Sequence, residues 1–571
     1  MNRIRKLAAV VKEGVSNPEK IKKGLKVLKN QGPVIFKERL SNSINYEPGY
    51  GRTRKVKLKS YSGDILFSIV MPVYNVDLKW LDKAIESIEK QNYKNWEICI
   101  ADDCSPNQEV REHLLSISNN KIKVKLLDKN QGISGATNEA ASLASGDYIL
   151  LMDNDDELAH SALHEFYQKI KKDGSEILYS DMDIIDAKGR TRDPLCKPDW
   201  SPDLFLSQMY LGHLVGFKKS LFDEVGGFRS EFNGSQDYDL LLRMTEKTDK
   251  IGHVAEILYH WRDLPSSTAA NPESKPYAQI AGLNAIQEHL NRVYGSGKAI
   301  AHETDNLFVY DVRYPMEEEP MVSIIIPIKD HVELLKAAID SIFEKTTYKH
   351  YEIIVLNNNS EKEETFAYLR ELVECHENVR VEDALFEFNW SKLNNYGMQF
   401  AKGDVFVCLN NDVKVIEPEW LTRLVEKAIR SDVGVVGGLL LYEDNTIQHA
   451  GVVIGMGGWA DHVFKGMTPQ HYGSPFISPM VTRNVSAVTG ACLAVSRKTI
   501  EKIGGFNEQF IVCGSDIELA LRANKHGLVN IYDPNVKLYH FESKSRDASK
   551  IPQIDFDPVS YTHLRAHETS A

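Results

Sequence analysis

Carboxylates follow two short apolar runs of this chain, in a pattern that suits a divalent cation and the phosphates it would hold. After the first run, Asp153 and Asp155 stand two positions apart, and after the second run Asn410 and Asp412 have the same spacing. Clustered carboxylates repel one another unless a cation or hydrogen-bond donors compensate them. A hard cation such as Mg²⁺ accepts carboxylate oxygens and completes its shell with water and substrate phosphates. The first turn therefore fits a site for a cation and a phosphorylated ligand.

The pattern occurs twice because the chain contains an internal duplication. Copy one spans about Phe67 to Arg262, and copy two spans about Met321 to Arg546. Asp155 and Asp412 lie 257 residues apart, whereas Asp237 and Asp516 lie 279 residues apart. Copy two therefore carries an insertion, which we place around Gly455–Gly466. A repeated unit of this kind sets the domain organisation before any local feature is considered.

Short β-branched runs alternate with amphipathic stretches in both copies, which predicts an α/β fold with parallel sheets and helices on their faces. The predicted strands are Ser68–Val73, Glu97–Ala101 and Tyr148–Met152 in copy one, and Ser323–Ile328, Glu352–Leu356 and Val405–Leu409 in copy two. The predicted helices that follow the first strands are Leu78–Gln91 and Leu334–Lys345. Ligands of such sheets bind beyond the carboxyl ends of the strands, so we expect one polar cleft in each copy.

Length and charge divide the chain further. Its 571 residues, 42% of them hydrophobic, exceed what a single core usually supports, which favours two globular domains. Residues 1–60 hold 16 Lys or Arg against 4 Glu, while the whole chain has a formal net charge of −12. The spacing of apolar residues predicts a basic helical N-terminal arm, which either lies on an anionic membrane surface or packs on its own protein.

The sequence contains no apolar run long enough to span a membrane and no recognisable signal peptide, so we expect a cytoplasmic protein. The segment Ser560–Ala571 has no hydrophobic periodicity and looks like translated read-through of a sequencing adapter. We therefore expect the chain to be non-native from about residue 560 and the natural polypeptide to continue beyond about Asp557.

Several motifs recur in the same order, and together they make the sequence resemble the family 2 glycosyltransferases, which have the GT-A fold and invert the anomeric centre. In copy one they are Pro72–Asn75, Asp102–Ser105, Ala136–Asn138, Asp153–Asp155, Gly226–Phe228, Gln236–Asp239 and His260. Copy two resembles a variant with Ser391–Asn395, Asn410–Asp412, Thr489–Ala491, His540, Ser543 and Arg546. The resemblance implies an α/β protein with two tandem GT-A domains, the Rossmann-like nucleotide-diphospho-sugar transferase fold.

The resemblance also implies a role for each matching residue. Residues expected to bind the nucleotide sugar are Pro72, Tyr74, Asp103 and Asp153 in copy one, and Pro327, Asp330, Asn358 and Asn410 in copy two. Residues expected to hold Mn²⁺ or Mg²⁺ are Asp155 and His260, and Asp412 and His540. Asp237 and Asp516 match the catalytic base. One base and one cation suffice for a single displacement at the anomeric carbon.

Structural alternatives stay open for several of these residues. Asp237 and Asp516 each precede an apolar helical stretch, where an aspartate can also serve as the helix N-cap. His260 and His540 can also be hydrogen-bonded core histidines. The glycines of the Gly226–Phe228 motif are interpreted as turn formers rather than phosphate binders.

The predicted function is transfer of sugars from nucleotide-diphosphate donors to a growing surface glycan, lipid-linked or not, in bacterial-type O-antigen, capsule or cell-wall biosynthesis. The alternative is one active domain beside a degenerate domain that binds glycan or acts as a scaffold, because Asn410 and Asn357 replace carboxylates in copy two. A sugar nucleotidyltransferase or a Rossmann dehydrogenase would need a glycine-rich loop after the first strand, which neither copy has. The acidic domains exclude a nucleic-acid partner.

These arguments give the predicted domain boundaries. They are a basic arm over residues 1–62, a first GT-A domain over 63–271, a helical linker over 272–320, a second GT-A domain over 321–547 and a tail over 548–571. The arm is predicted to make peripheral contact with the inner face of the plasma membrane.

Overall fold

The computed structural model describes residues 59–264, 276–456, 460–470, 477–541 and 555. The predicted arm up to residue 58, part of the insertion in copy two, Ser543, Arg546 and the tail after residue 555 lie outside the described residues. Two large β-sheets form, one from each copy. The predicted α/β class is confirmed.

Copy one begins with a strand, and helices alternate with strands along most of its length. Its strands are β1 (Phe67–Val73), β2 (Trp96–Asp102), β3 (Ile122–Leu126), β4 (Tyr148–Leu151), β5 (Glu157–Leu158), β6 (Ile177–Ile185), β7 (Thr191–Leu195), β8 (Val215–Lys218) and β9 (Ile251–Arg262). Its helices are α1 (Leu78–Glu89), α2 (Gln108–Ser116), α3 (Gly132–Ser142), α4 (Ala162–Asp173), α5 (Pro202–Ser207), α6 (Lys219–Val225) and α7 (Gln236–Thr245), with a 3₁₀ turn at Ser230–Phe232.

The segment between the copies is also structured. It contains α8 (Pro276–Tyr294) and an antiparallel hairpin of β10 (Ile300–Glu303) and β11 (Tyr310–Arg313). Ala285, Ile286 and Leu290 of α8 are fully buried and belong to the same apolar cluster as the helices of copy one. This segment therefore packs on copy one.

Copy two repeats the same succession with additional short strands. Its strands are β12 (Val322–Ile328), β13 (Tyr351–Asn357), β14 (Val379–Asp383), β15 (Val405–Leu409), β16 (Val413–Val415), β17 (Val433–Leu441), β18 (Ile447–His449), β19 (Val452–Ile454), β20 (Ala460–His462), β21 (Arg483–Asn484), β22 (Cys492–Ser496) and β23 (Val529–His540). Its helices are α9 (Val332–Lys345), α10 (Glu363–Cys375), α11 (Trp390–Phe400), α12 (Trp420–Ala428), α13 (Arg497–Ile503) and α14 (Ser515–Lys525).

The two sheets have the same strand order. In copy one it is β3-β2-β1-β4-β8-β6-β9-β5, and in copy two it is β14-β13-β12-β15-β22-β17-β23-β16. The first four strands of each order are parallel, as predicted, but β8 and β22 run antiparallel to both of their neighbours. The predicted parallel pairing is also present between β6 and β9 and between β17 and β23, so β8 and β22 interrupt sheets that are otherwise largely parallel. An antiparallel strand brings its amino end to the edge where the parallel strands finish.

Both faces of the sheet in copy one are covered. Ile69 and Met71 of β1 pack in one apolar cluster with Leu81 and Ala84 of α1, whereas Val70 packs in another cluster on the opposite face. Side chains alternate across a strand, so a strand buried on both faces needs apolar residues in succession, as β1 has. The carboxyl-terminal edge is left as the accessible part of the sheet where polar residues can gather.

The duplication extends to individual buried hydrogen bonds. The Ser68 hydroxyl donates to Glu97 at 2.7 Å, and Ser323 donates to Glu352 at 2.7 Å. Each serine also accepts from the glycine that precedes β4 or β15, with Gly146 N at 2.9 Å and Gly403 N at 2.8 Å. Buried polar groups need such partners, so the same network fixes the central strands in both copies.

The two copies contact each other through α5 and β21. Arg430 of copy two lies 2.6 Å from the buried carboxylate of Asp203, and the amide of Asn484 donates to the same carboxylate at 2.7 Å. The Ser201 hydroxyl also bonds Asn484 at 3.0 Å. Breaking a buried ion pair on one side leaves an uncompensated charge, so this contact opposes separation of the copies.

In the described part of the chain, every helix is too short or too polar to cross a membrane.

Candidate active site

In copy one the predicted site residues gather at the carboxyl-terminal edge of β1, β2 and β4. Pro72 lies near the end of β1, Asp103 follows β2, and Asp153 follows β4. Asn154 donates from its amide to the Pro72 carbonyl at 2.7 Å, which ties the turn after β4 to β1. The sequence prediction that these strand ends meet is confirmed by this contact.

The turn Asp153–Glu157, called here the acidic turn, places several carboxylates close together in different environments. Asp156 is buried, accepts from the Tyr259 hydroxyl at 2.6 Å and from Arg262 N at 2.6 Å, and its pKa is raised to about 8 by burial and by the charge of Asp153. Burial and the charge of Asp153 also raise the pKa of Asp155. The repulsion predicted from the sequence is therefore present, and added positive charge would relieve it.

Arg262 fixes the acidic turn from its buried side. Its side chain is fully buried, its Nε donates to the Asp155 carbonyl at 2.6 Å, and its guanidinium pairs with Glu157 and lies 4.3 Å from the ring of Trp80. All of these contacts are within the protein. Arg262 therefore shapes the turn but cannot reach a ligand in the cleft.

His213, which sequence reasoning missed, faces the acidic turn from the amino end of β8. Its Nε2 lies 3.4 Å from Oδ2 of Asp153, and its ring stacks on Tyr259 with centroids 5.0 Å apart. Burial lowers the pKa of His213, but the charges of Asp153, Asp156 and Asp237 outweigh it and raise that pKa to about 9. The imidazole is therefore cationic at neutral pH.

Asp237 shares this region with His213 and Asp153. It occupies the second position of α7, and burial raises its pKa while the charge of His213 lowers it and that of Asp153 raises it. Such mutual effects require the three groups to lie near each other. The N-cap of α7 is Ser235, so the structural alternative for Asp237 does not hold. Its role as catalytic base stays a prediction.

Two motif asparagines, one in each copy, fix the loops that follow α6 and α13 rather than a ligand. The Asn138 side chain makes two hydrogen bonds of 2.9 Å to the backbone of Phe228, and Asn395 makes the equivalent bonds to Phe506 at 2.8 and 2.9 Å. Gly227 has a φ of +73°, and a Cβ there would lie 2.7 Å from Oδ1 of Asn138. The glycine is required by this close approach, in agreement with its interpretation as a turn former.

His260 pairs with a carboxylate other than that of Asp155, the residue with which it was predicted to hold a cation. Its Nδ1 lies 2.5 Å from Oδ1 of Asp183 on β6, and its only ion pair among the described residues is this one rather than one with Asp155. A ring nitrogen bonded to a carboxylate is compatible both with a metal ligand and with a core histidine. The metal role of His260 stays a prediction.

The expected nucleotide pocket of copy one is partly open. Tyr74 is 54% exposed, so its ring is available to a ligand. Asp103 is buried, and its Oδ1 accepts from Gln131 N at 2.6 Å, which fixes the loop between β3 and α3 over the strand ends. Asp103 thus has one carboxylate oxygen committed to the loop and a second that carries no such backbone contact.

In copy two the predicted cation residues lie together. Nε2 of His540 is 3.2 Å from Oδ1 of Asp412 and 3.2 Å from the amide nitrogen of Asn410, while Nδ1 bonds Gln448 at 2.7 Å. Asp412 is buried, and its Oδ1 accepts no hydrogen bond. Such an oxygen beside an imidazole nitrogen fits a divalent cation that replaces the missing donor.

Asp516 matches Asp237 in position but has a firmer anchor. It is the second residue of α14, whose N-cap is Gly514, and its Oδ2 accepts from Gly490 N at 2.7 Å. Burial raises the pKa of Asp516, and this backbone hydrogen bond opposes the rise. The bond explains the Thr489–Ala491 motif, because its turn holds the carboxylate in place.

Two histidines that contact each other lie near Asp516. Nδ1 of the fully buried His449 lies 2.7 Å from Nδ1 of His462, which belongs to the insertion in copy two. His462 contributes electrostatically to the pKa of Asp516, and burial holds the pKa of His449 well below its usual value. Copy one has no equivalent insertion, so the surroundings of the two aspartates differ.

The expected nucleotide residues of copy two make structural contacts. Oδ1 of Asp330 accepts from Glu361 N and Lys362 N at 3.0 Å; burial raises the pKa of Asp330, but these bonds outweigh it and hold the pKa below its usual range. The amide of Asn358 donates to the carbonyls of Ala384 and Phe386 at 2.8 Å. Pro327 has the same place in β12 that Pro72 has in β1. Their binding roles stay predictions.

Among the described residues, no group of three or more His, Cys, Asp or Glu is arranged to hold a metal by itself. Each copy instead offers two converging groups, Asp153 with Asp155 in copy one and Asp412 with His540 in copy two. Mg²⁺ and similar ions in phosphate sites commonly take one or two carboxylates and fill the remaining positions from phosphates and water. The donor sets fit that kind of site and do not form a closed metal cage.

Comparison with known proteins adds independent findings. The model of glycosyl transferase family 2 matches residues 68–226 and 323–504. The uncharacterized protein y4gI of Sinorhizobium fredii is 40% identical over 510 residues, covering 88% of this chain and 56% of that protein. The O-antigen biosynthesis protein RfbC of Myxococcus xanthus is 37% identical over 496 residues, covering 86% of this chain and 38% of RfbC. The chain thus spans about half or less of the length of these curated relatives.

Solved structures match over smaller parts. The structure of S. aureus TarS residues 1–349 with UDP-GlcNAc is 19% identical, with a TM-score of 0.33, and the match covers 40% of this chain and 72% of that one. The assignment of the fold rests on the strand order of the two sheets and on the family match.

Proposed function

The chain belongs to glycosyl transferase family 2, and from this premise we propose that each copy transfers a sugar from a nucleotide-diphosphate donor to a glycan acceptor with inversion. The observation that carries the proposal is the meeting of the acidic turn, His213 and Asp237 at one edge of the sheet. In copy two, Asp412 and His540 lie 3.2 Å apart on the same strand order, and Asp516 has the position in α14 that Asp237 has in α7. Two GT-A domains in tandem account for the duplicated sheets.

The proposed step is one displacement at the anomeric carbon. Asp237 or Asp516 removes the proton of the acceptor hydroxyl. The oxygen of that hydroxyl forms a bond to the anomeric carbon while the bond between the anomeric carbon and the donor phosphate oxygen breaks. The leaving group departs as a nucleoside diphosphate, and the proton stays on the carboxylate until it passes to water. Because burial raises the pKa of both aspartates, each is a stronger base than an exposed one.

A divalent cation, Mn²⁺ or Mg²⁺, would supply charge stabilisation to the departing diphosphate. Asp155 beside Asp153 would hold it in copy one, and Asp412 with His540 would hold it in copy two. The support is the repulsion within the acidic turn and the unsatisfied Oδ1 of the buried Asp412. Pro72 and Tyr74, with Pro327 and Asp330, would border the nucleotide at the neighbouring strand ends.

The biological role follows from the relatives. The name of RfbC states O-antigen biosynthesis, and we propose that this chain acts in a bacterial-type surface polysaccharide pathway. The acceptor would be a growing glycan, carried on a lipid where assembly occurs at the inner face of the plasma membrane. The protein would then work at that face from the cytoplasm.

One observation favours a second candidate function. In copy two the acidic turn is reduced, because Asn410 and Val413 replace Asp153 and Asp156. Copy two would then be a module that binds glycan or positions copy one without catalysis. The retained Asp412 and Asp516 argue for activity, and the aspartate variants considered in the Discussion separate the two cases.

A panel of nucleotide sugars tests the proposed function. We expect at least one UDP-, GDP- or dTDP-sugar, with Mn²⁺, to raise the melting temperature and to be consumed when glycan acceptor is added. A ligand present at about 100 times its Kd stabilises the folded state by about 2.7 kcal/mol. The corresponding free sugars serve as controls. If no nucleotide sugar shifts the melting temperature or is consumed, the proposal is wrong.

The arm is proposed to bring the enzyme to an anionic membrane. Residues 1–60 carry 16 Lys or Arg, and each basic residue near such a surface contributes about 1 kcal/mol. Removing residues 1–60 should therefore weaken sedimentation with phosphatidylglycerol vesicles at least tenfold, while donor consumption without vesicles persists. Phosphatidylcholine vesicles are the control, and unchanged sedimentation of the shortened protein would contradict the anchor.

A further inference from the structure

The two copies differ in charge at the same point of the same sheet. Copy one has three carboxylates at Asp153, Asp155 and Asp156, whereas the aligned positions in copy two are Asn410, Asp412 and Val413. In copy one, His213 lies opposite Asp153, with its Nε2 3.4 Å from the carboxylate. In copy two, Ala491 lies opposite Asn410, whose backbone N donates to the Ala491 carbonyl at 3.0 Å. Extra negative charge is thus accompanied by an extra imidazole.

The extra negative charge creates a problem for a donor that is itself anionic. A nucleoside diphosphate entering copy one meets the carboxylates of Asp153 and Asp155, and Asp237 adds a third that interacts electrostatically with Asp153. Like charges at short distance cost free energy unless a positive group stands between them. Copy two meets this problem with fewer carboxylates.

The positive groups around the acidic turn are not equally available. The guanidinium of Arg262 is fully buried and committed to Asp155, Glu157 and Trp80. The side chain of His213 is 29% exposed, and its ring is held by stacking on Tyr259. Its Nε2 lies 3.4 Å from Asp153, at the long end of the hydrogen-bonding range, and Nδ1 is buried without a partner. Asp153 thus holds the Nε2–H only loosely, and a phosphate oxygen at the usual distance of about 2.9 Å would replace this contact.

We propose that His213 binds the β-phosphate of the nucleotide donor in copy one, a contact that copy two lacks because Ala491 stands in its place. The inference rests on the proposed function and adds a specific donor contact to it. His213 contacts Asp153, which is expected on the nucleotide side, and interacts electrostatically with Asp237, the proposed base, so it lies near the point where the diphosphate and the reacting sugar would meet. The consequence is that the two copies recognise the diphosphate through different residues.

Titration calorimetry on the full chain tests this contact with UDP, GDP and dTDP, each compared with its monophosphate. His213→Ala should weaken diphosphate binding at one of the two sites about 10- to 100-fold, the range for loss of a hydrogen bond to a charged group, and leave monophosphate binding unchanged. His540→Ala should affect the other site and so identifies it. His113→Ala, which removes an exposed histidine paired with Asp82 at 2.7 Å, is the matched control and should change neither site.

Each other outcome has a definite meaning. Equal losses for diphosphate and monophosphate, or an unchanged diphosphate affinity, would overturn the inference while the proposed function stands. If wild-type protein binds none of these nucleotides, the proposed function itself fails. Where His213→Ala lowers the melting temperature, His213→Asn keeps a polar side chain against Tyr259 and is measured in the same way. Placing Asp and His at Asn410 and Ala491 together should raise the diphosphate preference of copy two, and an unchanged preference counts against the contact.

Discussion

Replacing Asp237 with asparagine should lower sugar transfer by copy one about 100- to 10,000-fold, the usual contribution of a positioned general base. The substitution keeps the shape of the side chain but removes its basicity. Donor binding should persist, because Asp237 lies in the first turn of α7, whereas the nucleotide is expected at the ends of β1 and β2. The measurement is nucleoside diphosphate release with acceptor present, together with donor binding by calorimetry.

The matched control is Asp223→Asn, which changes an exposed aspartate in the neighbouring α6 that pairs with Lys219 at 2.7 Å. It should leave transfer and donor binding unchanged. Transfer by Asp237→Asn at the wild-type rate would remove the base assignment, whereas an equal loss of transfer and of donor binding would point to a structural role.

Asp516→Asn applies the same test to copy two and decides between the two candidate functions. If both variants lose part of the total release and the double variant loses nearly all of it, both copies are active. If only Asp237→Asn matters, copy two is a binding or scaffolding module. Asp516 also anchors Gly490 N at 2.7 Å, so its variant needs a check of the melting temperature.

The parallel half of each sheet was predictable because its strands are short, buried on both faces and separated by helical patterns. The predicted strand Val405–Leu409 matches β15, and the predicted Ser68–Val73 differs from β1 by one residue. The antiparallel course of β8 and β22 was not predictable, because apolar runs report burial and not direction. Only long-range pairing, such as Leu151 with Val215, reveals it.

The same distinction explains the site. Asp153, Asp155 and Asp412 were found because they follow parallel strands, where polar residues are expected to meet a ligand. His213 precedes its strand, so a search for polar residues that follow strands does not find it. The available signal was a histidine two residues before a short apolar run. His449 and Gln448, on β18, were missed because neither residue lies in a motif that the two copies share.

Removing divalent cations should abolish transfer by both copies, with a loss of about 1,000-fold or more, because a bound cation contributes several kcal/mol to stabilising the departing phosphate and each 1.36 kcal/mol is tenfold in rate. The experiment is an assay in EDTA followed by titration with Mn²⁺ or Mg²⁺. Recovery of activity on adding the ion distinguishes this loss from unfolding. Full activity in EDTA would contradict the cation role of Asp155 and Asp412.

The two copies should also differ in how much cation they need. Copy one presents the two carboxylates of Asp153 and Asp155 to the ion, whereas copy two presents one carboxylate, that of Asp412, beside the amide of Asn410 and the imidazole of His540. Fewer negative ligands attract a divalent ion less strongly, so copy two should need a higher free Mn²⁺ concentration for half-maximal transfer. Titrations of Asp516→Asn, which reports copy one, and of Asp237→Asn, which reports copy two, measure the difference directly. Coincident titration curves would show that the missing carboxylate is replaced by the donor phosphates, and that the protein ligands do not set the affinity.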